Sequence, residues 1–245
     1  MRNILFGLLL LYTFQAKTQE TGDPGLLIGM SYAYQLPGGD LSDRFGPNFN
    51  AGLSSEFILG KRTLFFGLEG NYLFGNEVRS NVLAPLQTPE GFIIANDKSY
   101  SNIVLRERGI YAGGYVGKIF GLLADNPRSG IRVSLGMGVL QHKIRIQDDP
   151  FRPVAALTGD YKKGYDRLTN GLTLKQFIGY QHLDPNMRLN FFAGFEFTQG
   201  FTKNRRDFDF DTRMKDDTNR LDLLWGFRVG WVLPFYFTGG RDVFY

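Results

Sequence analysis

From Gly25 onward the chain alternates apolar and polar residues with a period of two, the signature of strands whose two faces meet different surroundings. Leu26, Ile28, Met30, Tyr32 and Tyr34 form one face of the first stretch, against Leu27, Gly29, Ser31, Ala33 and Gln35. The second sets Phe49, Ala51, Leu53 and Phe57 against Asn50, Gly52, Ser54 and Glu56. The third sets Leu64, Phe66, Leu68, Tyr72 and Phe74 against Gly67, Glu69 and Asn71. A fourth runs from about Gly109 to Phe120, with Gly113 and Gly117 on one face and its register open. The fifth opposes Ile131, Val133, Leu135, Met137 and Val139 to Arg132, Ser134, Gly136 and Gly138. The sixth, about Arg167 to Gln181, is broken by Asn170 and Gln176. The seventh opposes Leu189, Phe191, Ala193, Phe195 and Phe197 to Asn190, Gly194, Glu196 and Thr198. The eighth opposes Leu221, Leu223, Trp225, Phe227, Val229 and Trp231 to Asp222, Gly226, Arg228 and Gly230.

Each stretch is long enough to cross a membrane at a tilt, for which roughly 9–11 residues suffice. Soluble sandwich strands are nearer 5–6 residues. The connections alternate too. Short turns fall at Gly60-Lys61-Arg62, at Ala124 to Arg128 and at Leu183 to Asn186, and long polar loops fall at 36–47, 75–108, 147–165 and 202–219. Short turns on one rim and long loops on the other characterise transmembrane β-barrels. The expected fold is all-β, a closed antiparallel barrel of eight strands. A hairpin inside the 75–108 loop, Gly91–Ala95 with Ser101–Leu105, leaves ten strands as the alternative. Closure follows from the same pattern, because an open edge in lipid would leave backbone groups unpaired.

The first 19 residues read as a secretory signal peptide. Arg2 supplies a basic start, Ile4 to Phe14 is almost wholly apolar, and small or polar residues follow at 15–18. Residues 20–245 are then the exported barrel, with the long loops extracellular, a short periplasmic tail at the C-terminus, and the outer membrane as its location. Composition narrows the picture. With no Cys, disulfide scaffolds and thiolate metal sites are excluded. The net charge of +4 falls to +2 once a leader carrying Arg2 and Lys17 is removed, so it does not argue for an anionic ligand, nucleic acid included. The informative excess is in 31 Gly and 15% aromatic residues: glycines suit a crowded interior and aromatics a lipid interface. Tyr32, Tyr34, Tyr72 and Phe74 gather toward the long loops. Phe57, Phe120, Trp231, Phe235 and Tyr236 gather toward the short turns, and Trp225 belongs with the membrane-interface set.

Two segments carry a resemblance. Pro37-Gly38-Gly39-Asp40-Leu41 with Arg44-Phe45-Gly46, and then Gly67 to Gly75, are similar to uncharacterised barrels of the Bacteroidota. The tail Leu233-Pro234-Phe235-Tyr236 and the terminal Phe244-Tyr245 fit that group. In size the chain resembles the transmembrane domain of outer membrane protein A. The resemblance implies a fold and a lineage, not an activity.

Candidate chemistry concentrates on the polar face. The alternation points Glu56, Glu69, Glu196 and Asp222 inward, with Arg132, Lys175 and Arg228. An eight-stranded barrel is just wide enough for side chains to fill it, so these charges are expected to pair as a plug. The alternative is a narrow gated path for ions or small solutes, although a selective pore would show one dominant sign. Enzymatic readings are weaker. Lipid A deacylases and acyltransferases among small barrels use an outward His–Ser pair, and His142 reads instead as an ordinary interfacial histidine. Asp207 to Asp211 lacks the Gly and Glu of a calcium loop. Gly117-Lys118 is followed by Ile119 and lacks the first Gly of a phosphate loop. No catalytic residue, cofactor or metal site is expected. The expected partners are outer-membrane lipid and lipopolysaccharide, and envelope proteins engaging the long loops or the periplasmic rim. The mixed charges of the last long loop (Lys203, Arg205, Arg206, Arg213, Lys215 and Arg220 among five Asp) read as a solvated surface.

Overall fold

Alternation of side chains commits each stretch to a strand whose faces differ, and the strands resolve that difference by rolling into a cylinder. A computed structural model describes residues 24–59, 63–123, 126–184 and 189–237. The leader at 1–19 and the terminal Phe244-Tyr245 lie outside these residues, as do the turn at 60–62 and parts of the other two short turns. Among the described residues ten strands occur: β1 (Gly25–Gly39), β2 (Asn48–Leu59), β3 (Leu64–Gly75), β4 (Ile93–Ile94), β5 (Tyr100–Ser101), β6 (Val104–Leu123), β7 (Asn126–Gln147), β8 (Thr169–Leu183), β9 (Asn190–Asn204) and β10 (Asn219–Tyr236). Eight of them close an antiparallel barrel in which β1 pairs with both β2 and β10. The expected loop hairpin exists as β4 and β5, but it pairs only with itself, so the barrel has eight strands and not ten.

The strands run further than the sequence periodicity. β1 continues through Leu36-Pro37-Gly38-Gly39 to pair with β10, although Pro37 and two glycines read as loop. Gly39 is where it ends: φ is +56°, and a Cβ there would lie 2.3 Å from the Leu221 carbonyl oxygen. β6 and β7 run on through 104–106 and 143–147, beyond the ends of β3 and β8, and there the outward apolar face gives way to Arg and Lys while the ladder continues. β10 reaches Tyr236, so Phe235 belongs to the barrel wall and not to a tail.

Outward positions form a nearly continuous apolar belt: Ile131, Val133, Leu135, Met137 and Val139 on β7 and Leu221, Trp225, Phe227, Val229 and Trp231 on β10 are all exposed. Among the described residues, no helix is long and apolar enough to cross a membrane. The open register of the fourth stretch resolves with Tyr111, Gly113, Tyr115 and Gly117 inward. A Cβ at Gly117 would sit 2.2 Å from the Phe65 ring, which shows how tightly the interior is filled.

Two buried apolar clusters lie toward the two ends of the interior. Toward the short turns, Leu27, Ile58, Phe65, Ile119, Phe177, Leu183, Phe192 and Val232 pack across the interior. Toward the long loops, Leu73, Tyr111, Leu140, Ile144 and Leu224 of the wall are roofed by Leu41, Phe45, Val82, Leu83, Val154 and Leu157 from three loops. The long loops therefore fold over the mouth and share its core.

Candidate functional site

All seven charges singled out on the polar face lie inside the barrel, each below 10% exposure. They sit at three heights along the axis. Nearest the short turns, Arg132 on β7 reaches Glu56 on β2: its Nη1 donates to Glu56 Oε1 at 3.1 Å and its Nη2 to Oε2 at 2.5 Å. Tyr115 donates its hydroxyl hydrogen to the same Glu56 Oε2 at 3.1 Å. Arg132 also donates to Gln181 Oε1 at 2.5 Å, and its guanidinium lies 4.1 Å from the centre of the Phe65 ring. This geometry combines a bidentate pair with a cation–π contact, both favoured where water is excluded.

At mid-height, Glu69 on β3 faces Lys175, Glu196 and Arg228 on β8, β9 and β10. Arg228 Nη1 lies 2.9 Å from Glu69 Oε2 and 3.5 Å from Glu196 Oε2. Lys175 Nζ lies 3.3 Å from Glu69 Oε1 and 3.2 Å from Glu196 Oε2. Two bases and two acids thus form a closed square across the interior, with Gln35 Nε2 donating to Glu196 Oε1 at 2.6 Å. Isolated, each buried charge would cost several kcal/mol; alternation in a square offsets this locally. The cavity left beside the square measures about 20 Å³, lined by Ser54, Tyr115, Ser134 and Phe177 among others. That is room for about one water molecule.

Near the long loops the third group centres on Asp222 of β10. Arg44, from the loop between β1 and β2, places Nη2 2.5 Å from Asp222 Oδ1 and donates from Nη1 to Thr169 Oγ1 at 3.3 Å. Thr202 donates to Asp222 Oδ2 at 2.5 Å, and His142 Nε2 lies 2.9 Å from the same oxygen. Phe45 meets the His142 ring edge-on at 5.7 Å. His142 is therefore no interfacial histidine: it has the parity of Arg132 and Leu140, and β7 carries it inside. Its inward position was readable by extending the alternation. Arg44 was not, because it comes from a loop with no period.

Glu107 is a further buried acid that the periodicity left in a loop. Asn48 Nδ2 donates to its Oε2 at 3.0 Å, while its Oε1 has no hydrogen-bond partner. The second histidine, His182, has Nδ1 3.4 Å from Ser129 Oγ. That hydroxyl is committed to the backbone of Leu183, accepting from its N–H at 3.0 Å and donating to its carbonyl at 3.3 Å. Fully buried and doubly occupied, it is not presented as a nucleophile. Among the described residues no cluster of three or more His, Asp and Glu has the arrangement to hold a metal ion.

The aromatic positions fall on the outer wall. Tyr32, Tyr34, Tyr72, Trp225, Trp231 and Phe235 are 43–48% exposed. Tyr32, Phe49 and Phe74 pack ring to ring at 5.6–6.3 Å, with Tyr34 and Tyr72 at their flanks. Phe74 is half-buried in that group. Near the other rim, Tyr236 is partly covered by the Arg128 guanidinium, 4.1 Å from its ring centre.

No protein-family model matches the chain, and no curated protein matches it. Among solved structures it is similar to Neisserial surface protein A at 11% identity, with a TM-score of 0.44, covering 86% of this chain and 97% of that one. It is also similar to Ail, the attachment invasion locus protein of Yersinia pestis, solved alone and with the heparin analogue sucrose octasulfate. Identity is 10% and the TM-score 0.40 in both cases, over 86–87% of this chain and 99% of Ail.

Proposed function

We propose that the chain is a non-enzymatic integral barrel of the outer membrane, with a plugged interior and a structural, anchoring or protein-interaction role. One observation carries the reading: polarity is inverted, with an apolar aromatic belt outside and paired charges inside. A soluble barrel would bury that belt, since an exposed apolar face of this extent is tolerated only against lipid or a partner. The plug reading rests on the interior being occupied throughout. Apolar clusters lie toward both ends, the charges between them are paired, and the cavity at mid-height holds about one water. With no path through it, the barrel offers its loops and rims to lipid and to envelope proteins.

Two measurements test this. Outer-membrane fractions run on gels with and without boiling should show a compact, heat-modifiable band; a band confined to soluble fractions would sink the membrane reading. Purified protein in planar bilayers should give no reproducible openings. Openings that change with Glu69→Gln or Arg228→Gln would replace the plug with a gated ion path.

A further inference from the structure

The ends of β6 and β7 next to the long loops rise above their neighbours as a two-stranded ribbon. β3 stops opposite Glu107 and β8 begins opposite His142. On the ribbon's outer face the register sets Arg106 directly across from Arg145, and Arg108 directly across from Lys143. Like charges directly opposed on one sheet face repel and destabilise the pairing. Among the described residues none of the four is in a salt bridge. Arg106 donates only to the Asn76 side chain, at 3.3 Å, and its Nε has no partner. Arg108 donates to the carbonyl oxygens of Glu107 and Gly75, at 2.5 and 3.4 Å. Glu107, the single acid in 104–110 and 139–147, points inward and is fully buried.

The position of the four cations is as informative as their charge. Arg108 stands between Phe74 on β3 and Lys143 on β7, one pleat beyond Tyr72 and Ile110 of the apolar belt. A groove of about 240 Å³, lined by Tyr72, Ile110, Arg108, Gln141, Lys143 and Arg145, opens sideways at this level. Across the barrel, outward positions of β1, β2 and β10 carry Tyr34, Leu36, Phe49 and Trp225, and the cations at the loop ends of β9 and β10, Lys203 and Arg220, pair with Asp217 and Asp216. The cations without an acidic partner among the described residues of these strand ends are therefore those of β6 and β7, and they abut the belt.

We propose that this ribbon is a binding site for the phosphoryl headgroup of an outer-leaflet lipid, with Arg108 and Lys143 as its centre and Arg106 and Arg145 above them. The proposal rests on the membrane reading given above. A lipid fits better than a soluble anion because the groove is continuous with the belt: acyl chains lie along Ile110 and Val139 while phosphate oxygens meet the guanidinium and ammonium groups. Guanidinium forks match phosphate oxygens in pairs, and an anion between opposed cations turns a repulsive ladder into an attractive one.

The test uses the full mature protein in nanodiscs of phosphatidylcholine doped with diphosphoryl lipid A, or with the same lipid stripped of phosphate. Native mass spectrometry would read the lipid retained. Retention should depend on phosphate, fall with added salt, and drop roughly tenfold in Arg108→Gln/Lys143→Gln. Lys118→Gln, which removes an outward cation elsewhere on β6, should leave it unchanged. In lipid-free detergent the double variant should unfold no earlier than the parent, because only repulsion has been removed. Equal retention of both lipids, or equal loss in the Lys118 variant, would overturn the site while leaving the barrel's membrane insertion intact. So would a sulfated oligosaccharide in solution that competes with the lipid through the same residues. Failure of the protein to enter bilayers at all would overturn the membrane reading and this site together.

Discussion

Arg132 shows how one side chain is held in a place where a charge is expensive. Its guanidinium is bidentate to Glu56, hydrogen-bonded to Gln181 and stacked near Phe65 and Phe192. The contributions are unequal when removed. Deleting one partner strands the other charge in an apolar surround, whereas replacing both with apolar groups of similar size strands neither. Glu56→Gln should therefore cost about 3–5 kcal/mol. Glu56→Leu with Arg132→Met should cost less than that single change. Urea unfolding followed by Trp225 and Trp231 fluorescence in detergent micelles decides it; additive losses in the double variant would show that the pair is not coupled. The residue types and parity of such positions are readable in sequence. The partners are not, because Glu56 and Arg132 are 76 residues apart and meet only across a closed cylinder.

Among the elements, the loops depart furthest from the solvated segments that their composition suggests. The loop between β7 and β8 is tied to the one between β9 and β10. Arg206 donates to both oxygens of Asp166, at 2.7 and 2.6 Å, and Arg167 pairs with Asp211. The Tyr165 and Phe210 rings meet edge-on at 5.3 Å. Six bases against five acids read as a mixed wet surface, yet several of these charges are spent on fastening one loop to another. Arg206→Gln should loosen both loops together, by about 1–3 kcal/mol of local opening free energy. Limited proteolysis would show this as faster cleavage in 148–168 as well as in 205–218, and cleavage confined to one loop would refute the coupling.

Asp209, in the second of these loops, adds a pH dependence. It is 1% exposed, and Asn204 Nδ2 donates to its Oδ2 at 2.8 Å, but its Oδ1 has no partner. Burial holds its carboxyl above the ordinary carboxylate value. An acid raised in the folded state binds more protons there than when unfolded, so its contribution falls as pH rises through that range. Asp209→Asn should therefore slow cleavage of this loop at neutral pH. The advantage should vanish below the ordinary carboxylate range, and an advantage that is independent of pH would rule out the charge as its cause.

For the whole molecule, net charge proved a poor guide. A total of +4 conceals paired charges inside and between loops, and an uncompensated cationic sector on one wall. The sum reports none of this, because cancellation depends on distance and burial and not on number. What sequence alone determined was the all-β barrel, the face taken by residues of the cleanly alternating stretches, and the polarity of the two faces. A period of two is a local property, set by backbone geometry and visible in any ten consecutive residues. The eight-strand count depended on one tertiary fact, that β4 and β5 pair with each other and not with the wall. Everything that requires two distant segments to meet was decided by closure. Closure brings Glu69 to Lys175 and Arg228, folds Arg44 and Phe45 over the mouth, and slides β6 against β7 until Arg108 faces Lys143. Register between strands is a relation between segments, fixed only when all eight ladders must close at once, and the sites of this protein are consequences of register.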